Sequence, residues 1–138
     1  MTVPITLLLV EDDAGHARLI DKNLRRAGIS NPIRAFSDGT SIMEAVAAPG
    51  FAEGGPYLIL LDLNLPDMSG ADILATIKDN PRTKHIPVIV LTTTDDRAEM
   101  KRCYELGCSV YITKPVDYVA FANAIRQLGM FLSVIQVP

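Results

Sequence analysis

Short apolar runs alternate with longer segments of helical periodicity along most of this chain. The runs are mostly apolar and often β-branched, which is typical of strands that are covered on both faces. They are ITLLLV (5–10), PIRAF (32–36), YLILLD (57–62), IPVIVL (86–91) and SVYIT (109–113). Five strand and helix units in strict alternation predict an α/β fold, in which a parallel five-stranded sheet carries helices on both faces through right-handed crossovers.

The segments between the runs carry the signals of helix starts and ends. In the first segment one face is apolar and the other charged, and Gly28 follows at the place of a C-terminal cap. The apolar face holds Ala17, Ile20, Leu24 and Ala27, and the charged positions are Arg18, Asp21, Lys22, Arg25 and Arg26. The Gly- and Pro-rich stretch 48–56 predicts a surface loop. Helix N-caps are predicted at Asp38, Ser69, Asp95 and Asp117.

Composition limits the class of protein. With 138 residues, 49% of them hydrophobic, the chain is expected to form one domain over 1–138, without room for a second. A net charge of −3 with dispersed Lys and Arg argues against direct nucleic-acid binding. No export signal or membrane-length apolar run is found, so a cytoplasmic location is expected. Cys103 and Cys108 are expected to be free thiols.

Polar residues gather where the predicted strands end. Because the carboxyl ends of parallel strands meet at one edge of the sheet, we expect these residues to lie close together. They are Glu11, Asp12 and Asp13 after the first strand, Asp62 and Asn64 after the third, Thr92 and Thr93 after the fourth, and Lys114 after the fifth. Neighbouring carboxylates raise one another's pKa unless a cation intervenes, and an all-oxygen ligand set with few protein ligands suits Mg²⁺. Asp13 is better placed to start the following helix, where its charge is favourable.

Lys114 and Thr92 indicate the chemistry of this edge. An ammonium, a hydroxyl and Mg²⁺ around one carboxylate are the groups that stabilise a phosphoryl group during transfer, and the carboxylate itself can be the nucleophile. No Gly-rich nucleotide-binding loop is found, so the phosphoryl donor must come from outside the chain. His16 and His85 have no metal-like or triad-like partner in the sequence and are expected to be surface residues.

These motifs resemble the receiver domains of two-component response regulators, along essentially the whole chain to about residue 128. The resemblance rests on VEDD (10–13), LLDLNLPDMSG (60–70), VLTT (90–93) and YITKP (111–115). It implies a flavodoxin-like doubly wound (βα)5 sheet with strand order 2-1-3-4-5, in a phosphoprotein of a phosphorelay. It also implies that Asp62 is the phosphoacceptor. The implied Mg²⁺ ligands are Glu11, Asp12, Asp62 and the backbone carbonyl of Asn64.

The other strand-end residues take their roles from the same resemblance. Thr92 is the switch hydroxyl, and Lys114 is the lysine that pairs with phosphate. Tyr111 is the aromatic residue whose rotamer reports phosphorylation. The Lys114–Pro115 peptide bond is expected to be cis, since proline greatly lowers the cost of that isomer. The positions that affect phosphoryl access and lifetime are Thr93, Thr94 and Asn64.

A looser resemblance concerns the partner. LIDKNLRRAGI (19–29), the long loop before the third strand and the ending GMFLSVIQVP (129–138) are similar to the single-domain regulators of bacterial phytochrome kinases. The implied phosphoryl donor is a sensor histidine kinase, and more specifically a bacteriophytochrome. With no attached effector, the output is expected to pass through another, unidentified protein.

The end of the chain is more apolar than one helix face can bury. The predicted core face of the last helix holds Tyr118, Phe121, Ile125, Leu128 and Leu132. An apolar extension from about residue 130 adds Met130, Phe131, Val134, Ile135 and Val137. Exposed apolar patches mark interfaces, so a symmetric homodimer is expected. Receivers of the resembled family often pair through the fourth helix and fifth strand.

Two other functions remain open from the sequence. One is a receiver-like scaffold that is never phosphorylated. The other is an aspartyl-phosphate phosphatase, but such an enzyme carries a DxD-like motif at the end of its first strand, whereas Asp62 ends the third and position 64 is Asn. Under the receiver interpretation the chain is not an enzyme, beyond catalysing its own phosphotransfer and dephosphorylation.

Overall fold

Strands and helices alternate along the chain as the sequence predicts. The computed structural model describes residues 4–134. The strands are β1 (Thr6–Val10), β2 (Ile33–Phe36), β3 (Tyr57–Leu61), β4 (Val88–Thr92) and β5 (Val110–Thr113). The helices are α1 (Ala14–Arg26), α2 (Gly39–Ala47), α3 (Gly70–Asp79), α4 (Arg97–Leu106) and α5 (Tyr118–Leu132). All strand pairs are parallel and the order is β2-β1-β3-β4-β5, which confirms the predicted fold class.

The sheet separates two apolar cores. Leu8 of β1 lies beside Ile59 of β3, and Ile59 lies beside Val88 of β4, so these side chains share one face and pack against α2, α3 and α4. Leu7 lies beside Leu58 on the opposite face, which α1 and α5 cover. β3 and β4 are buried along their whole length. The loops that follow them therefore begin at positions fixed by the core.

Most helix ends follow the predicted signals. Asp13, Asp38, Ser69 and Asp117 each accept a hydrogen bond from a backbone N–H in the first turn of the following helix. Gly28 has a φ of +94° and ends α1, donating its N–H to the Arg25 carbonyl. The cap of α4 is Asp96, not the predicted Asp95, and its carboxylate accepts from the Ala98 N–H at 3.1 Å. Two adjacent aspartates have equal capping chemistry, so only the path of the loop selects between them.

The loop at 48–56 and the predicted cis bond differ from expectation. The loop contains a short 3₁₀ helix (Ala52–Gly54), and Phe51 is buried with its ring stacked on Tyr57 at 4.2 Å between centroids. Within residues 4–134 the cis peptide bond is Gly55–Pro56, whereas Lys114–Pro115 is trans. The cis prediction for Lys114–Pro115 is therefore wrong. Proline lowers the cost of the cis isomer but still leaves trans favoured, and Lys114 reaches its partners from the trans form.

The last helix buries only part of its predicted core face. Phe121, Ile125, Leu128 and Leu132 are buried, but Tyr118, its first residue, is 65% exposed. Helical spacing identifies the inward face but does not say how far the underlying surface extends, which is why Tyr118 was wrongly assigned to the core. Met130, Phe131 and Val134 are exposed, and Ile135 and Val137 lie outside the described residues.

Two smaller findings concern cysteine and membranes. Cys103 and Cys108 are both free, as predicted, and both are buried. Among residues 4–134, none of the helices combines the length and the apolar character needed to cross a membrane.

One long-range contact ties the β3–α3 loop to helix α2. The Asp67 carboxylate accepts hydrogen bonds from the Gly39 and Thr40 backbone N–H groups, both at 2.8 Å, and from the Thr40 hydroxyl at 2.5 Å. These hydrogen bonds, that from the Thr40 hydroxyl first, lower the pKa of Asp67 to about 2. The contact holds the segment that follows the end of β3 against the start of a neighbouring helix.

We expect Asp67→Asn to lower the melting temperature by a few degrees at pH 7, because an amide accepts less strongly from the helix terminus. Asp67 stays ionised in the folded protein down to about pH 2, while it protonates at its ordinary pKa in the unfolded chain. Its stabilisation is therefore present above that ordinary pKa and lost as the pH falls toward 2. Calorimetric melts between pH 7 and pH 2.5 measure the difference in melting temperature between wild type and variant. This difference, the gap, should become smaller as the pH falls. Asp79→Asn, at an exposed position at the end of α3, is the matched control. A gap that is independent of pH would contradict the assignment.

Candidate functional site

The predicted site residues meet at the carboxyl edge of the sheet. Main-chain hydrogen bonds continue one residue past the strands: Glu11 N–H donates to Phe36, Asp62 N–H to Val10, and Lys114 N–H to Thr92. This continuation fixes the backbone at the first residue beyond β1, β3 and β5. Side chains from positions 11, 62, 92 and 114 are therefore brought together by a rigid element.

Asp62 is buried at the centre of this group, and hydrogen bonds reach both of its oxygens. Oδ1 accepts from the Asn64 backbone N–H at 3.1 Å and from the Thr92 hydroxyl at 2.9 Å. Oδ2 accepts from the Lys114 ammonium at 3.0 Å. Burial by itself raises the pKa of Asp62, but the Asn64 N–H, the charge and hydrogen bond of Lys114 and the Thr92 hydroxyl together lower it. The carboxylate is therefore ionised at neutral pH, as a nucleophile must be.

Gly70 allows the backbone after Asp62 to fold back closely. A Cβ atom at this position would lie 2.6 Å from the Asp62 carbonyl oxygen and 2.6 Å from the Leu63 Cα. Both are backbone atoms at the end of β3, so neither moves without displacing Asp62. Glycine at the start of α3 thus permits the turn that carries Asp62 and Asn64.

Lys114 binds both buried acids. Its ammonium donates to Glu11 Oε1 and Asp62 Oδ2, and all three side chains are almost completely removed from solvent. Burial raises the pKa of Glu11, although Lys114 acts in the opposite direction. The cation between the two carboxylates is therefore, in this structure, the lysine itself.

His16 is also part of the site, which the sequence did not indicate. Its Nδ1 lies 3.3 Å from the Lys114 Nζ, whereas His85 is exposed as expected. One feature of the sequence could have indicated this position. His16 is the third residue of the helix that Asp13 caps, and the first turn of that helix lies beside the carboxyl edge of the sheet. Phe121 of α5 joins the same group, with its ring 5.4 Å from the His16 ring.

The acidic residues fit a divalent cation. One carboxylate oxygen from each of Glu11, Asp12 and Asp62 lies within 4.8 Å of the other two, and Asp12 is exposed to solvent. An all-oxygen, partly hydrated donor set of this kind suits Mg²⁺. Asp13 is separate from this set. Its carboxylate accepts from the His16 N–H at 3.0 Å and so caps α1, as predicted.

The residues assigned to switching and tuning lie around the loop after β4. The Asn64 amide nitrogen lies 3.2 to 3.4 Å from the hydroxyls of Thr92, Thr93 and Thr94. Tyr111 is buried, and its hydroxyl donates to the Thr94 carbonyl at 2.6 Å. Burial, together with nearby acids, raises the pKa of Tyr111 to about 12. All of the predicted residues therefore lie within one connected group, although their roles in switching stay predictions.

Known proteins share this fold and sequence. The response regulator receiver domain model matches residues 7–126. Response regulator Rcp1 of Synechocystis sp. is 41% identical over 113 residues, which cover 80% of this chain and 77% of the relative. The Mn²⁺-bound crystal structure of Rcp1 aligns with a TM-score of 0.88 and 35% identity over 98% of this chain and 99% of that one.

Two further crystal structures are similar over nearly the whole chain. A response regulator receiver domain from Rhodospirillum rubrum is 58% identical, with a TM-score of 0.92 over 97% of each chain. The phosphorylated cyanobacterial phytochrome response regulator RcpA is 32% identical, with a TM-score of 0.89 over 99% of each chain. The family match spans far more than half of the residues. The chain therefore belongs to the response regulator receiver domain family.

Proposed function

We propose that this chain accepts a phosphoryl group on Asp62 from the phosphohistidine of a sensor histidine kinase. The observation that carries the proposal is the position of the Asp62 carboxylate, whose two oxygens accept hydrogen bonds from the Thr92 hydroxyl and the Lys114 ammonium. Phosphorylation on aspartate with Mg²⁺ is general in this family. The chain then acts as a phosphoacceptor in signalling, with catalysis limited to its own phosphotransfer and dephosphorylation.

The transfer step needs little covalent chemistry from the protein. An Asp62 carboxylate oxygen attacks the phosphorus, the O–P bond forms, and the P–N bond to the kinase histidine breaks. The bonding electron pair stays on the imidazole nitrogen, which takes a proton from solvent. The Lys114 ammonium and the Thr92 hydroxyl are placed to donate hydrogen bonds to the phosphoryl oxygens, where negative charge is concentrated.

Glu11, Asp12, Asp62 and the Asn64 carbonyl are the groups that would hold Mg²⁺. When bound, the ion offsets the negative charge of the acids and of the incoming phosphoryl group. Asp12 is the exposed carboxylate of the set, so it is the acid that an ion from solvent would meet first.

Phosphorylation is proposed to act on the loop after β4. In the unphosphorylated chain the Thr92 hydroxyl donates to Asp62 Oδ1. After phosphorylation the same hydroxyl would donate to a phosphoryl oxygen instead. Two residues later, the backbone carbonyl of Thr94 accepts a hydrogen bond from the Tyr111 hydroxyl. A shift of this loop therefore moves the acceptor of Tyr111, so that the state of Asp62 biases the surface formed by α4 and β5.

The proposed kinase is a bacteriophytochrome, acting on a single receiver domain over 1–138 in the cytoplasm. The support is similarity: RcpA is named a cyanobacterial phytochrome response regulator, and a bacteriophytochrome response regulator aligns at 31% identity with a TM-score of 0.72. The downstream protein is not identified by these relatives. Phosphotransfer profiling against purified kinases addresses the donor directly.

A homodimer is proposed through the exposed apolar side of α5. Met130 and Phe131 are 64% and 48% exposed, and Phe131 borders a groove of about 390 Å³ between α5 and β5. The other lining residues are Ile89, Val110, Ile112, Ala124, Gln127 and Leu128. Since β5 is an edge strand, a second copy would cover both the apolar groove and the sheet edge.

Incubation with acetyl phosphate and Mg²⁺ should add one alkali-labile phosphoryl group, detected by intact-mass spectrometry. Asp62→Asn should abolish the adduct, because the amide cannot attack phosphorus. Asp13→Asn, which changes an acid outside the proposed ligand set, should be labelled like wild type. Equal labelling of Asp62→Asn would refute the assignment. Absence of labelling together with unchanged chemical shifts on adding beryllofluoride and Mg²⁺ would support the unphosphorylated scaffold instead.

Asp12→Asn should lower the affinity for Mg²⁺ by at least about tenfold, because the site loses a charged oxygen ligand. Isothermal titration calorimetry of the unphosphorylated protein measures this effect without any transfer step. Asp13→Asn should bind like wild type, since Asp13 caps α1. Similar losses in both variants would show that general acidity, not a defined ligand set, attracts the ion.

Sedimentation velocity over a dilution series tests the proposed dimer. Phe131→Ser should weaken association by at least about tenfold, because the side chain lies at the centre of the proposed interface. Val116→Ser, which also removes an exposed apolar side chain but before the start of α5, is the matched control. A wild-type chain that stays monomeric at every concentration would overturn the proposal.

A further inference from the structure

His16 lies where three structural elements meet. It is the third residue of α1, and its backbone N–H donates to the capping Asp13 carboxylate at 3.0 Å. The Phe121 ring of α5 meets the imidazole in an edge arrangement, with the ring planes at 72°. On its other side the imidazole presents Nδ1 to the Lys114 ammonium at 3.3 Å. The ring is therefore fixed by its own helix, by α5 and by Lys114.

The hydrogen bonds of the ammonium define the role of Nδ1. A lysine ammonium has three donors, and Lys114 has three neighbouring acceptors: Glu11 Oε1, Asp62 Oδ2 and His16 Nδ1. The same Nδ1 lies 3.8 Å from Glu11 Oε1, so the contact with the lysine is the shorter of the two. Nδ1 can accept the third hydrogen bond of Lys114 in the tautomer that carries the ring proton on Nε2.

We propose that His16 is a positioning residue, which accepts the third hydrogen bond of Lys114 and thereby holds Nζ against Asp62 before phosphorylation. Of the three acceptors it is the only one that is not a carboxyl oxygen, so its bond is the one most readily exchanged for a phosphoryl oxygen. This exchange rests on the proposed function of Asp62, whereas the resting hydrogen bond does not. His16 would thus link the state of the site to the packing of α1 and α5.

Nuclear magnetic resonance tests the resting hydrogen bond in the metal-free, unphosphorylated protein. The chain has two histidines, and the exposed His85 provides an internal reference. At pH 8, long-range ¹H–¹⁵N spectra should show His16 as a single tautomer with an unprotonated Nδ1, whereas the exposed His85 should show signals averaged over both tautomers. In Lys114→Met the Nδ1 signal of His16 should move, downfield if the single tautomer persists and toward the averaged pattern of His85 if it does not, because the nitrogen has lost its hydrogen-bond donor. A protonated Nδ1 in wild type would overturn the proposal, and so would an Nδ1 signal that is the same in wild type and Lys114→Met.

Two His16 variants separate hydrogen bonding from packing. Asn carries an oxygen near the place of Nδ1, whereas Leu fills a similar volume without an acceptor. The ¹H–¹⁵N signal of the Lys114 ammonium should persist in His16→Asn and be lost through exchange with water in His16→Leu. Phosphorylation by acetyl phosphate should slow by at least about tenfold in His16→Leu and be largely retained in His16→Asn, as expected for one lost hydrogen bond to a charged group. His85→Asn should match wild type.

The outcomes distinguish this proposal from the proposed function. If Asp62 is never labelled but the resting spectra are as expected, the phosphoacceptor assignment fails and the His16 contact stands. If labelling is normal while His16→Leu keeps the ammonium signal and the full rate, the positioning role fails alone. Equal losses in the Asn and Leu variants would indicate packing instead of hydrogen bonding, and would also overturn it.

Discussion

The Lys114 ammonium between two buried carboxylates is the interaction on which this edge of the protein depends. Lys114 and Glu11 are 103 residues apart in the sequence, and the lysine also contacts Asp62, so a single side chain connects β1, β3 and β5. A buried charge is tolerated only when it is paired, and here each charge satisfies the others. Together with the Asn64 N–H and the Thr92 hydroxyl, the same pairing keeps Asp62 ionised despite its burial. The contacts of Lys114 therefore join three strand ends and at the same time help to keep the Asp62 carboxylate ionised.

The β3–α3 loop turns this charge arrangement into a defined geometry. Asn64 donates its N–H to Asp62, Gly70 lets the chain return against the Asp62 backbone, and Asp67 ties the loop to the start of α2. Each contact restricts a different part of the same nine-residue segment, 62–70. A site built in this way loses little entropy when a ligand arrives, because its groups are already in place.

Two sets of contacts connect the site to the surface of the molecule. The first runs from Thr92 through the Thr94 carbonyl to Tyr111, on the side of α4 and β5. The second runs from Lys114 through His16 to Phe121, on the side of α1 and α5. The two sets of contacts lie on opposite faces of the sheet, each beside a different core. Contacts therefore connect Asp62 to helices on both faces of the sheet.

The sequence by itself determined the sheet, most of the helix caps and the residues gathered at the carboxyl edge of the sheet. Periodicity and strand-end position are local properties, so Glu11, Asp12, Asp62, Thr92 and Lys114 were identified from the order of the elements and the family resemblance. Other features depend on which distant residues come into contact. Only the tertiary structure placed His16 beside Lys114 and brought the Asp67 carboxylate to the start of α2. It also selected Asp96 over Asp95, left Tyr118 exposed and kept Lys114–Pro115 trans. In each of these cases the local chemistry permits more than one arrangement, and long-range packing decides between them.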